Sequence, residues 1–347
     1  MPNLGTLVGD VIHRTLQRLL GAFVKNGCAS IIDPQTVTTL RELGGYTKVL
    51  SAVVDERLVE LNANPRLDHR RPTIERAMRE RIPEMRERVQ TTLSRSQLIL
   101  SGVRPAPRGD PTGISDGSHA ELELRAPELQ WAGRADLVTV SGSEIRITDY
   151  KTGTPSPDHA QQLRIYALLW ARDRRQNPSG RLATNLVISY PTEESHITPP
   201  TEDDLIELAD ELKTRREEAL QTFSDRPPVA RPSAESCRHC SVRHLCESYW
   251  IFIDEPRNEA DGTPSAFIDA QVVVSHRNGP RSWVCTIEHP SHLAEQKALI
   301  RTTDDGDFTP GRSVRVLSAI ADEDTEHELL SLTLTSASEV FRLSRDV

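Results

Sequence analysis

Lysine is scarce in this 347-residue chain: 5 lysines stand against 37 arginines. Aromatic residues make up only 4 %, so any core is mainly aliphatic. No apolar run approaches the roughly 18 residues of a membrane span. The opening stretch MPNLGTLVGDVIHRTLQRLL lacks the charged n-region and small-residue cleavage site of a signal peptide, so a cytoplasmic protein without a membrane partner is expected. Five cysteines are too few for a disulfide scaffold at this length. There is no G-x-x-x-x-G-K-[ST] phosphate loop, which excludes a built-in nucleotide-driven motor of that type. The net charge of −9 excludes blanket electrostatic attraction to nucleic acid. A local basic groove stays open, because nine arginines fall between Arg66 and Arg95. Asp68, Glu75, Glu80, Glu84 and Glu87 are interleaved with them, so a solvated helix face with i,i+4 pairs fits equally well.

What is present divides by periodicity. Residues 5–100 carry apolar positions at helical spacing, including Leu7, Val11, Leu16, Leu19, Leu20 and Phe23. A break is expected at Gly44-Gly45, and a kink at Pro83 within a third helix. Residues 101–118 are a Pro/Gly-rich loop. From His119 the period becomes two, and three strands with short turns predict an antiparallel meander. A helix, the strand ATNLVISYP and an acidic-headed helix follow, completing an α/β core over 119–223. A cysteine cluster spans 237–246, and residues 253–265 read as a linker. Five strand-like runs beyond it predict a small, OB-like C-terminal β-barrel over 266–347, with turns at Asn278-Gly279 and Asp304 to Asp307. The expected organisation is therefore a domain over 1–252, the linker, and the barrel.

The stretch EIRITDYKTGTP raises a chemical question. Ile145 and Ile147 mark one face of a strand, while Asp149 and Lys151 share a face at its end. In a chain that otherwise uses arginine, a plain ion pair would more naturally be Asp–Arg. Asp136 ends GRAD on the preceding strand, and a short turn brings two carboxylates within reach of one Mg²⁺ or Mn²⁺. An ammonium beside such an ion can orient or deprotonate water and steady charge on a phosphate. Arginine stays protonated and cannot serve as the base.

Four motifs in order, GDVIH, GRAD, DYKTG and QQLRIY, resemble the RecB-type branch of the PD-(D/E)xK nucleases, over roughly residues 5–250. The resemblance implies a restriction-endonuclease-like α/β core behind an N-terminal helical region. It implies His13 as a third metal ligand with Asp136 and Asp149, and the main-chain carbonyl of Tyr150 in the metal shell. It places Gln162 and Tyr166 beside the active site, and matches the family's strand glutamate to Glu121 or Glu123.

Cys237, Cys240 and Cys246 form C-x2-C-x5-C, a spacing that suggests a metal site. C-terminal to the core, this resembles the iron–sulfur nucleases, in which a fourth cysteine closes a 4Fe–4S cluster. Cys28 is the natural fourth ligand, although it lies after His13 whereas the family places that cysteine before the helix. Zinc is the rival, because His239 and His244 lie among the thiols. Cys285 reads as packed apolar surface.

The resemblance thus implies a metal-dependent deoxyribonuclease acting on single-stranded DNA or a free end, in repair, recombination or anti-phage defence. The missing phosphate loop points to a helicase or other ATPase in trans. The alternative is a non-catalytic DNA-binding subunit of a helicase–nuclease complex that keeps the fold for holding a strand.

Overall fold

In the computed structural model, Leu7, Val8, Val11, Ile12, Leu16, Leu19, Leu20 and Phe23 form the buried stripe of α1 (Leu4–Lys25). The described residues are 4–347 except 65, 66, 68–70, 97, 100–112, 225, 227, 256–266, 303–307, 325–328, 336 and 344–347. Most of the expected loop, most of the expected linker and the turn at 304–307 therefore lie outside them. The chain divides into two compact units, residues 2–221 and 222–347. The cysteine segment thus groups with the C-terminal sheet.

In the first unit α2 (Pro34–Glu42) starts on Asp33, whose side chain accepts the Gln35 N–H, with proline at the start of the helix. Gly44, at φ +82°, separates it from α3 (Gly45–Leu61). The expected kinked third helix is instead two, α4 (Arg71–Glu80) and α5 (Ile82–Arg95). Pro83 lacks an N–H and fits a helix start better than an interior, so the chain breaks just before it. In the arginine-rich segment Arg79 pairs with Asp55 and Glu75, and Arg88 with Glu84.

The sheet follows as β1 (Gly117–Ala126), β2 (Trp131–Ser141) and β3 (Glu144–Tyr150), an antiparallel meander. Helix α6 (Pro157–Arg172), capped by Ser156, crosses over to β4 (Asn185–Ser189), which pairs parallel with β3. An edge strand β5 (Glu194–Ile197) and helix α7 (Glu202–Ser224) complete the order β1-β2-β3-β4-β5. Ile145, Ile147, Leu163, Trp170, Leu186 and Ile188 belong to the core between sheet and helices.

The second unit begins with α8 (Ala234–His239), a 3-10 turn (Arg243–Leu245) and α9 (Glu247–Asp254). Six strands follow: β6 (Phe267–Gly279), β7 (Ser282–His289), β8 (Lys297–Arg301), β9 (Ser313–Asp324), β10 (Leu329–Thr333) and β11 (Glu339–Arg342). Their pairings close a ring, β6-β7-β8-β10-β9-β6, in which only β8–β10 is parallel, and β11 adds to β9. Register shifts interrupt β6, the bulges by which a long strand bends to serve two neighbours.

Candidate active site

The register of the first sheet aligns its acids. Asp136 precedes the pair Leu137↔Thr148, so it stands opposite Asp149. Glu121 lies between Ala120↔Leu137 and Leu122↔Ala135, opposite Asp136 from the other side. Three carboxylates on neighbouring strands, spaced about 4.8 Å apart, thus form one row across the sheet. Glu123, the rival for the strand glutamate, is half-buried and paired with Arg125 at 2.6 Å. Glu121 occupies its place with φ +55°, a conformation costing about 1–3 kcal/mol in a non-glycine residue.

Two glycines explain how helices reach this row. A Cβ on Gly9 would lie 2.8 Å from Thr152 Oγ1, so α1 rests against the turn that follows Lys151. One turn further along α1, His13 Nε2 lies 3.5 Å from Asp136 Oδ1 and 2.9 Å from Gln17 Nε2. A Cβ on Gly133 would meet the Tyr166 ring at 2.9 Å and Leu169 at 3.0 Å, so the GRAD glycine lets α6 lie close on β2.

Lys151 leaves β3 with its N–H on the Ser189 carbonyl. Its Nζ lies 2.7 Å from Asp149 Oδ2 and donates to Gln162 Oε1 at 2.6 Å. Gln162 Nε2 donates in turn to the Tyr166 hydroxyl at 3.0 Å, one helical turn on. Asp136 Oδ2 accepts the Tyr150 N–H at 2.8 Å, and the Tyr150 hydroxyl donates to Ser96 Oγ. The structure therefore brings together His13, Glu121, Asp136, Asp149, Tyr150, Lys151, Gln162 and Tyr166.

The electrostatics are unbalanced. Burial, and then the neighbouring Asp149, push Asp136 up to about 8 despite the Tyr150 N–H. Burial also raises Glu121, partly opposed by Arg134 and Gln17. Burial lowers His13, with Asp149 opposing, which favours the neutral imidazole that a metal ligand requires. Glu121 Oε1 is buried without a hydrogen-bond partner. Excess carboxylate, a neutral imidazole and a nearby carbonyl are the donor set of a hard divalent cation, so these residues fit Mg²⁺ or Mn²⁺. Among the described residues no three His, Cys, Asp or Glu side chains already close on one ion position.

The same holds for the thiols. Cys237, Cys240 and Cys246 are free and partly buried on α8, its C-cap and the N-cap of α9. The His244 ring stacks on Phe341 at 3.8 Å. Cys28 is buried in the first unit with Sγ 3.8 Å from Thr39 Oγ1. Among the described residues the thiols do not close on a cluster site. Burial raises Cys285 to about 12, in keeping with a packed, unreactive thiol.

Sequence reasoning passed over Gly9 and Gly133 as packing residues, and Gln17 and His159 altogether. The helical spacing of Gln17 from His13 and of His159 from Gln162 was the available signal. His159 Nδ1 lies 2.9 Å from the Tyr190 hydroxyl, and its lowered pKa comes chiefly from burial, then from Lys151.

Among the described residues no helix is long and apolar enough to cross a membrane. No curated protein matches the chain. Two solved structures are similar at a TM-score of 0.20, too low to carry an argument about fold. One, a p204 HINb domain, is 8 % identical and covers 64 % of this chain and 94 % of its own. The other, a murine DNA-binding protein bound with double-stranded DNA, is 6 % identical and covers 66 % and 95 %. The family model described as the PD-(D/E)XK nuclease superfamily matches residues 2–247. The chain belongs to the PD-(D/E)XK nuclease superfamily.

Proposed function

We propose that the protein is a metal-dependent nuclease of the RecB-like branch that hydrolyses phosphodiester bonds in single-stranded DNA or at a free end. The observation that carries this reading is Lys151, whose ammonium is held between Asp149 and Gln162 beside the buried Asp136. His13, Asp136, Asp149 and the Tyr150 carbonyl would hold the cation, with Glu121 at the end of the row. When bound, a divalent cation lowers the pKa of coordinated water and offsets phosphate charge. Lys151 then orients the attacking water and faces the charge that grows on the phosphate. Gln162 fixes the Lys151 rotamer, and Tyr166 fixes Gln162, so a flexible side chain is preorganised.

We read the C-terminal ring as the OB-like barrel expected from the sequence, which would either guide a strand or dock a partner. A 4Fe–4S cluster on Cys237, Cys240 and Cys246 is a proposal that rests on their spacing and on the resemblance to the iron–sulfur nucleases. Metal analysis after anaerobic purification distinguishes it from zinc, and from neither. A helicase in trans, in repair or defence, rests on the missing phosphate loop; a pull-down that recovers no ATPase counts against it.

The decisive experiment follows end-labelled single-stranded DNA with Mn²⁺. Wild type should degrade it, and Lys151→Ala should bind it while cutting about 10³-fold more slowly. Equal trace cleavage in both leaves the holding-subunit reading in its place.

A further inference from the structure

The row of acids does not stop at Asp149. Asp149 pairs with Ile188 on β4, and Ile188 pairs with Ser195 on β5. Residues in register on neighbouring strands project from the same side of a sheet, so the row runs Glu121, Asp136, Asp149, Ile188, Ser195. Its chemistry changes abruptly from carboxylate to apolar at β4. There a cavity of about 260 Å³ opens, with Ile188, Ser195 and Ile197 from the sheet, Tyr190 just after β4, Pro155 from the loop after Lys151 and Pro157 from the start of α6.

Resting on the nuclease reading above, we propose that this cavity takes one unpaired nucleobase of the strand whose phosphate lies on the acid row. Neighbouring strands are about 4.8 Å apart, so the cavity begins one strand spacing from Asp149, about where a base adjoining the cut phosphate falls. Its size is below the roughly 300–1,000 Å³ of pockets that enclose drug-sized ligands, which suits a single heterocycle. Two prolines and two isoleucines contribute apolar lining suited to an aromatic ring. Ser156 and Glu193 add a hydroxyl and a carboxylate able to meet the polar edge of a base. Tyr190 is fixed through its hydroxyl by His159, which stands on α6 three residues before Gln162, the partner of Lys151. The cavity wall and the catalytic lysine are therefore tied to the same turn of α6. A paired base could not enter without leaving its stack, so the cavity would favour single strands and frayed ends.

A second cavity, of about 300 Å³, is lined by Asp204, Glu207 and Glu211 against the single Arg164. That balance repels a polyanion, and none of the residues assigned above to the cation or to Lys151 lines it.

The test uses the full-length Lys151→Ala protein, which leaves DNA intact, and short labelled single-stranded oligonucleotides with one abasic nucleotide moved along the sequence. Binding is read by fluorescence anisotropy with Mn²⁺ at fixed salt. One abasic position should weaken binding about tenfold, the share of one stacked base, with the other positions near the intact oligonucleotide. Adding Ser195→Trp, which fills the cavity from the edge strand, should weaken the intact oligonucleotide about as much and abolish the dependence on position. Equal binding at every abasic position overturns the proposal, as does full positional dependence in the filled variant. If the filled variant fails to fold, the abasic walk decides alone. Position-dependent binding by a wild-type protein that cleaves nothing would remove the nuclease reading and leave the base site standing.

Discussion

Each unit of the molecule buries a cluster of charged groups, and the two clusters are built to opposite rules. In the C-terminal unit Asp269 accepts from Arg243 Nε at 2.7 Å, the Tyr249 hydroxyl at 2.7 Å and the Ser318 N–H at 2.6 Å. Arg243 also donates to Ser318 Oγ and the Arg238 carbonyl. Arg315 donates to the His244 carbonyl, Glu247 and Gln271 and lies over the Trp250 ring. Charges there are balanced and their donors have acceptors, which is how a buried ion pair avoids its desolvation cost. In the N-terminal unit Glu121, Asp136 and Asp149 face one lysine and one neutral imidazole. That arrangement is costly unless something else supplies positive charge. The comparison separates a structural lock from a site kept ready for a ligand.

The sharpest way to break this contrast is to remove one cation from each cluster. Lys151→Ala should cost about 10³-fold in cleavage, and the stability it loses by leaving Asp149 without its cation should be recovered by Mn²⁺, which takes the excess carboxylates as donors. Arg243→Ala should leave an uncompensated Asp269 and destabilise by about 3–5 kcal/mol, read by denaturant unfolding. Matching stability losses in the two variants with Mn²⁺ present would erase the distinction.

Next in size is a packing test. Gly133→Ala places a methyl against the Tyr166 ring and Leu169, an overpacking that costs about 1–3 kcal/mol. Because Tyr166 holds Gln162 and Gln162 holds Lys151, cleavage should fall further than stability accounts for. A variant that loses stability but keeps the wild-type kcat would uncouple α6 from the lysine.

How much of this was legible in the sequence differs between the units for the same physical reason. His13, Asp136, Asp149, Lys151, Gln162 and Tyr166 each answer a narrow chemical demand, so the order of their motifs carries the family resemblance that singles them out. The edge strand Glu194–Ile197 was missed because ESHI has no clear alternation to mark a buried face. The split between α4 and α5 turned on one proline whose two readings, kink and helix start, look alike in a helical period. The turn of Glu121 into positive φ has no signature in the sequence, because glutamate is not a residue that favours it. The closing parallel pair β8–β10 was equally hidden, since a ring depends on partners distant in sequence.

The imbalance of the acid row should also show as a pH dependence in metal-free protein. Asp136 titrates near 8 in the folded state and near 4 when unfolded. Between those values the native state binds the extra proton, so stability from this group is full below about pH 4 and is lost as pH rises toward 8. In EDTA the unfolding free energy should therefore fall with pH by at most about 1.4 kcal/mol per unit from this group. Asp136→Asn should flatten that slope, and Mn²⁺ should counter it in wild type but not in the variant. A slope identical in both proteins would move the imbalance elsewhere in the row.

The smallest expected effect distinguishes the two strand glutamates. Glu123 holds Arg125 at the surface, and Glu123→Gln should change stability by no more than about 0.5 kcal/mol. It should also leave the Mn²⁺ dependence of cleavage untouched. Glu121→Gln removes a buried charge opposite Asp136, so it should lower the pKa of that neighbour and weaken the response to Mn²⁺. Both substitutions keep side-chain size, and they lie two residues apart on one strand. A difference between them therefore reports membership of the carboxylate row. If Glu123→Gln instead shifts the Mn²⁺ requirement and Glu121→Gln does not, the row ends at Asp136 and the strained backbone of Glu121 needs another cause.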